Sequence, residues 1–104
     1  MYQSLDPVRL QTLLQGAAPP QLIDVRSAAE IARGAIAGAT HIELSALPAR
    51  AAELDPEAPC LLYCLSGARS AQGCAYLARR GFRRLYHLDG GIAAWAKAGL
   101  PVTL

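Results

Sequence analysis

A short apolar run, closed by a cysteine and followed at once by a helical pattern, leaves this chain few folds to choose from. Pro59-Cys60-Leu61-Leu62-Tyr63 reads as a buried strand, and residues 70–80 read as a helix stopped by Gly81. Cys64-Leu65-Ser66-Gly67-Ala68-Arg69 joins them, so Cys64 falls on a strand-to-helix turn. In an open parallel sheet such turns lie at the carboxyl ends of strands, where ligands bind and the unpaired amides of a first helical turn converge. The arrangement can cradle an anion.

A cysteine in that place feels the positive end of the helix dipole and the guanidinium of Arg69, and both favour the thiolate, the form that attacks. An unperturbed thiol titrates near ~8.5, and each unit of lowering is worth about 1.4 kcal/mol, so a modest shift suffices at neutral pH without a histidine base. Most free cysteines are small buried hydrophobes. Gly67 and Arg69 set Cys64 apart, because they supply what thiolate chemistry needs. Cys60 and Cys64 do not form a redox or metal pair. Four residues of extended strand span roughly 13 Å, whereas a disulfide needs Cα atoms within about 7 Å. Cys60, and Cys74 among the alanines of the central helix, read as structural.

Along the chain, Asp6-Pro7 starts a helix with Val8, Leu10, Leu13 and Leu14 on one stripe, ended by Gly16. Residues 21–25 form a strand, and Ser27 with Glu30 makes a capping box for a short helix. Gly34 and Gly38 punctuate a loop, residues 41–44 suggest a brief strand, and residues 45–54 a short helix. After the central helix come a strand at 84–88, a turn at Asp89-Gly90-Gly91 and a last helix over 92–98 closed by Gly99. Strands alternating with helices predict an α/β domain with a mostly parallel sheet.

Cys64-x-x-Gly67-x-Arg69-Ser70 resembles the active-site loop of single-domain rhodaneses, the thiosulfate sulfurtransferases. Leu88-Asp89-Gly90-Gly91-Ile92, with Trp95, Gly99, Leu100, Pro101 and Val102, is similar to that family's closing signature. Ile23-Asp24-Val25-Arg26 and Gly34-Ala35-Ile36-Ala37-Gly38-Ala39 are similar to its opening signature, though Ala35 and Ala37 stand where the family commonly has His and Pro. The resemblance implies a five-stranded, mostly parallel sheet flanked by helices on both faces. The strand count reaches five only if a segment near Tyr2 also pairs. It further implies transfer of sulfane sulfur from thiosulfate, or a similar donor, to cyanide or a thiol through a persulfide on Cys64. The acceptor thiol could belong to a partner protein. The amides of Leu65, Ser66, Gly67, Ala68 and Arg69 would hold the transferred sulfur, with no cofactor and no metal. Cysteine phosphatases and arsenate reductases also set Cys and Arg around an amide cradle, but with five intervening residues where this chain has four. A non-catalytic interaction module is the third alternative, and the presence of Cys64 and Arg69 speaks against it.

The 104 residues are expected to form one domain, and a formal charge of +2 gives no argument for nucleic acid. No apolar stretch reaches membrane-spanning length, Met1-Tyr2-Gln3-Ser4 lacks the start of a signal peptide, and three cysteines fit a reducing compartment. A cytoplasmic protein without membrane partners is expected. Asp24 and Arg26 read as loop-fixing hydrogen-bonding groups, Arg79, Arg80, Arg83 and Arg84 as a solvated helix end, and Trp95 as a core anchor. His41 and His87 have no partner at metal spacing and receive no role.

Overall fold

The computed structural model describes residues 2–104. Among them the chain forms β1 (Tyr2–Leu5), α1 (Pro7–Leu14), β2 (Gln21–Asp24), α2 (Ala28–Ile31), β3 (Thr40–His41), α3 (Leu47–Arg50), β4 (Cys60–Tyr63), α4 (Ala68–Arg79), β5 (Leu85–Leu88) and α5 (Gly91–Lys97). The described strands make one sheet in the order β1-β5-β4-β2-β3, and all their pairings are parallel.

The apolar run on β4 sits between β5 and β2, and all four of its residues are buried. Its side chains alternate between the faces of the sheet, as strand geometry requires. Cys60 and Leu62 join a cluster with Leu47 of α3 and with Cys74 and Leu77 of α4. Leu61 and Tyr63 join a cluster with Leu10 of α1 and with Ile92 and Trp95 of α5. Helices thus cover both faces, and each fully buried leucine contributes about 1.5–3 kcal/mol of apolar burial. Trp95, 2% exposed, anchors the second cluster and donates from Nε1 to the Pro101 carbonyl at 2.8 Å.

Local starts follow the sequence cues. Asp6 caps α1 by accepting from the Arg9 amide at 2.8 Å, and Ser27 and Glu30 form the reciprocal capping box of α2. Two elements differ from expectation. Residues 45–54 are not one helix: the single α-turn α3 is flanked by 3-10 turns at Leu44–Ala46 and Ala51–Glu53. Pro48 lies in the first turn of α3, where a missing amide is harmless but continuation of an earlier helix would not be. The brief strand is Thr40–His41, because the chain turns into the first 3-10 turn at Leu44.

Candidate active site

The strand β4 delivers Cys64 to the carboxyl end of the sheet's middle, and α4 begins four residues later. Gly67 is the N-cap of α4 and has φ +118°, a left-handed conformation that its missing Cβ permits. It has no side chain with which to cap the helix, and the cysteine sulfur takes that part. Sγ accepts from the Gly67 amide at 3.1 Å and the Ser70 amide at 3.3 Å, and lies 3.6 Å from Ser70 Oγ. The backbone donors on which a helix start ordinarily seats an anion are therefore directed at this sulfur.

The other side of the turn is held by α5. Its Ile92 amide donates to the Cys64 carbonyl at 2.9 Å and its Ala93 amide to the Leu65 carbonyl at 3.1 Å. Gly91 makes that approach possible: a Cβ there would stand 2.3 Å from Leu65 O, and its φ is +63°. With their carbonyls turned onto α5, Cys64 and Leu65 leave the amide side of the turn facing Sγ.

Burial pushes the Cys64 thiol up, yet the hydrogen bonds from the Ser70 hydroxyl and from the Ser70, Gly67 and Ser66 amides outweigh it and hold the thiol below its ordinary value. For Cys60 and Cys74 burial has no such opposition and pushes both thiols up to about 12. All three cysteines are buried and free, and among them Cys64 alone has its pKa lowered by its surroundings.

Of the five expected loop residues, Gly67 donates its amide to the sulfur at 3.1 Å. Gly67 is buried beneath it, while Leu65, Ser66 and Ala68 are exposed on the outside of the turn. Arg69 follows them but binds elsewhere: its Nη1 and Nη2 donate to Glu30 Oε1 and Oε2 at 2.7 and 2.8 Å. Those bonds hold the Glu30 carboxyl down to about 2 despite its partial burial, with help from Ser27. Arg69 keeps electrostatic reach to Cys64, but the sulfur's hydrogen bonds come from the turn.

Beside the turn, Asp24 and Arg26 fix loops, as expected, but as a buried ion pair 1% and 4% exposed. Arg26 Nη2 donates to Asp24 Oδ2 at 2.8 Å and to the Gly34 carbonyl at 2.7 Å, and its guanidinium lies over the Tyr63 ring. The Tyr63 hydroxyl accepts from the Ile36 amide at 3.0 Å, tying the loop that carries Ala35 and Ala37 to the end of β4. Arg83 and Arg84 line a small cleft with Tyr2 and Gln3, against β1 and the start of β5 rather than at Cys64. Among the described residues no cluster of three or more His, Cys, Asp or Glu is arranged to hold a metal ion, and no helix is long and apolar enough to cross a membrane.

Two residues near the sulfur escaped sequence reasoning. Ser70 was visible as the start of a helix and as the last residue of the Cys64-x-x-Gly67-x-Arg69-Ser70 motif, but not as a hydrogen-bonding partner of Sγ. His87, on β5, lies with Nδ1 3.1 Å from Ser70 Oγ. Its spacing from Cys64 in sequence carries no signal, and parallel pairing of β5 with β4 is what brings it near.

A thiol on an amide turn at the end of a central parallel strand defines a cysteine-centred α/β domain. The model of the rhodanese-like domain matches residues 6–98, and the chain belongs to that family. A protein of Allochromatium vinosum named sulfurtransferase is 40% identical over 102 residues, covering 98% of this chain and 95% of its own length. The thiosulfate sulfurtransferase GlpE of Pseudomonas aeruginosa strain PAO1 is 32% identical over 94 residues, covering 90% and 84%. The crystal structure of a rhodanese-related protein from Thermoplasma volcanium superposes with a TM-score of 0.90 at 28% identity, covering 99% of each chain.

Proposed function

We propose that this chain is a sulfurtransferase that carries sulfane sulfur as a persulfide on Cys64. The observation that carries the reading is the seat of the sulfur: two amides and a hydroxyl converge on Sγ and outweigh the effect of burial on its pKa. Its likeness to proteins named sulfurtransferase and thiosulfate sulfurtransferase supports the same chemistry.

In the first step the Cys64 thiolate attacks the outer sulfur of thiosulfate. The new S–S bond forms on Cys64 as the old one breaks, and sulfite leaves with the bonding pair. The outer sulfur then carries the negative charge, and the turn amides from Leu65 to Arg69 are the donors that would hold it. In the second step cyanide or a thiolate attacks that outer sulfur, and Cys64 departs as the thiolate it was. Neither step needs a metal or an organic cofactor. A thiol acceptor on a partner protein fits the exposed turn as well as a small molecule does. We further assign the chain to the cytoplasm and treat it as one catalytic domain.

Intact-mass measurement after treatment with thiosulfate tests the proposal. A single added sulfur atom on Cys64, removed again by cyanide, is the expected result. A chain that stays at its unmodified mass with thiosulfate and with a small persulfide donor would end the reading.

A further inference from the structure

The hydrogen bonds around Cys64 do not stop at Ser70. Ser70 Oγ lies 3.1 Å from His87 Nδ1, and the opposite ring nitrogen, Nε2, lies 3.0 Å from Ser4 Oγ. Ser4 and His87 are paired across β1 and β5, which puts their side chains on the same face of the sheet. Cys64 is 1% exposed, Ser70 is fully buried and His87 is 9% exposed, whereas Ser4 is exposed. A row of three contacts therefore leads from the buried sulfur, through a hydroxyl and an imidazole, to the surface at the edge strand.

Ser70 Oγ can also donate to the Gly67 carbonyl at 3.1 Å; when its proton stays within the row, each link has two settings. In one, the thiol donates to Ser70 Oγ, the Ser70 hydroxyl donates to Nδ1, and Nε2–H donates to Ser4 Oγ. In the other, the Ser4 hydroxyl donates to Nε2, Nδ1–H donates to Ser70 Oγ, and the Ser70 hydroxyl donates to the thiolate. A hydroxyl has one proton to give and a neutral imidazole one N–H, so the settings exclude each other. The first requires a thiol and the second suits a thiolate.

We propose that His87 is a positioning residue that sets the proton on Cys64 through Ser70, its two tautomers corresponding to thiol and thiolate. The change from one setting to the other balances. The S–H bond of Cys64 breaks and its proton goes to Ser70 Oγ, whose own proton passes to Nδ1. The Nε2 proton passes to Ser4 Oγ, and the Ser4 proton leaves to water as hydronium. The route serves a sulfur with almost no contact with solvent of its own.

The surroundings suit a neutral, switchable ring. Tyr2 on β1 makes a T-shaped contact with it, ring centroids 5.0 Å apart, the turn at Gly67 passes close to Cε1, and Asp89 beyond β5 is the acid that acts on it. Burial lowers the His87 pKa in spite of Asp89, which favours the neutral ring, the form that has two tautomers to choose between.

The inference rests on the reading of Cys64 as nucleophile, but its test asks only where protons sit. Long-range nitrogen–proton correlation spectra of the whole chain report which nitrogen of His87 carries hydrogen, with His41→Gln assigning the second histidine. The expected result is Nε2–H below the pH midpoint of Cys64 alkylation and Nδ1–H above it, with no such step in Cys64→Ser. His87→Phe should raise the alkylation midpoint and slow the reaction at neutral pH about threefold or more. In that variant the Gly67 carbonyl, 3.1 Å from Ser70 Oγ, can still replace Nδ1 as acceptor in the thiol setting, but nothing replaces the Nδ1–H donor in the thiolate setting. A His87 tautomer that stays the same while Cys64 ionises overturns the proposal, even if His87→Phe fails to fold. Failure of sulfur loading on Cys64 would count against the sulfurtransferase reading instead and would leave the tautomer result standing.

Discussion

Arg69 on α4 and Glu30 on α2 form a two-pronged ion pair, with both guanidinium nitrogens within 2.8 Å of the carboxylate oxygens. The cation nearest to Cys64 in sequence is thereby neutralised by an acid 39 residues upstream. The pair joins the capping box of α2 to the first turn of α4, so it braces the loop as much as it charges it.

That bracing is measurable. With side chains 36% and 27% exposed, the pair should show a coupling of about 1 kcal/mol in a double-mutant cycle of Glu30→Gln and Arg69→Met, read from urea unfolding. Strict additivity of the two substitutions would show that the pair does not brace the fold.

Because the sulfur is held by the turn, Ser70→Ala should raise the pH midpoint of Cys64 alkylation more than Arg69→Ala does. The Ser70 hydroxyl is a direct neighbour of Sγ, whereas the Arg69 charge is shared with Glu30. A larger shift in Arg69→Ala would return Arg69 to first place in activating the thiol.

Acid should weaken the fold in two stages. Burial lowers the pKa of His87 from 6.5, so its contribution is present above that value and declines as pH falls below it. Glu30, lowered from 4.5 to about 2, contributes fully above 4.5 and progressively less toward 2. Urea midpoints taken across this range should fall in both windows, and Glu30→Gln should flatten the lower one alone.

The loop's seat on α5 predicts a sharp contrast between two glycines. A Cβ at Gly91 would collide with the Leu65 carbonyl at 2.3 Å, while a Cβ at Gly38 meets nothing within 4 Å although both have positive φ. Gly38→Ala should cost about 1 kcal/mol of backbone strain, and Gly91→Ala should cost more and also slow Cys64 alkylation. Equal effects on stability and reactivity would contradict the seat described here.

Four residues between Cys64 and Arg69 make a smaller ring of amides than five, and a single sulfur fits it better than a tetrahedral oxyanion. Aryl phosphates should therefore be poor substrates beside thiosulfate. Comparable rates, both abolished by Cys64→Ser, would favour phosphatase chemistry.

Much of this was legible in the sequence because the signals were local. The strand ending at Tyr63, the turn at Gly67 and the capping box of Ser27 and Glu30 each lie within a few residues. The edge strand β1 was not, because only Leu5 of its four residues is buried and the pattern shows no alternation. The partners of Arg69 and His87 were hidden for a different reason. Glu30 already had a local role that explained it, and Ser4 meets His87 across 83 residues through strand pairing that no local pattern encodes.

The hold of α5 on the carbonyls of Cys64 and Leu65 also has a meaning in time. Synthesis runs from the N-terminus, so the cysteine is made well before Gly91, Ile92 and Ala93 exist to receive its turn, and before β5 arrives to stand between β4 and β1. Until then the thiol has neither its settled ring of amides nor His87 behind it. A nascent chain therefore bears an ordinary cysteine, and its reactivity is withheld until synthesis has passed Ala93.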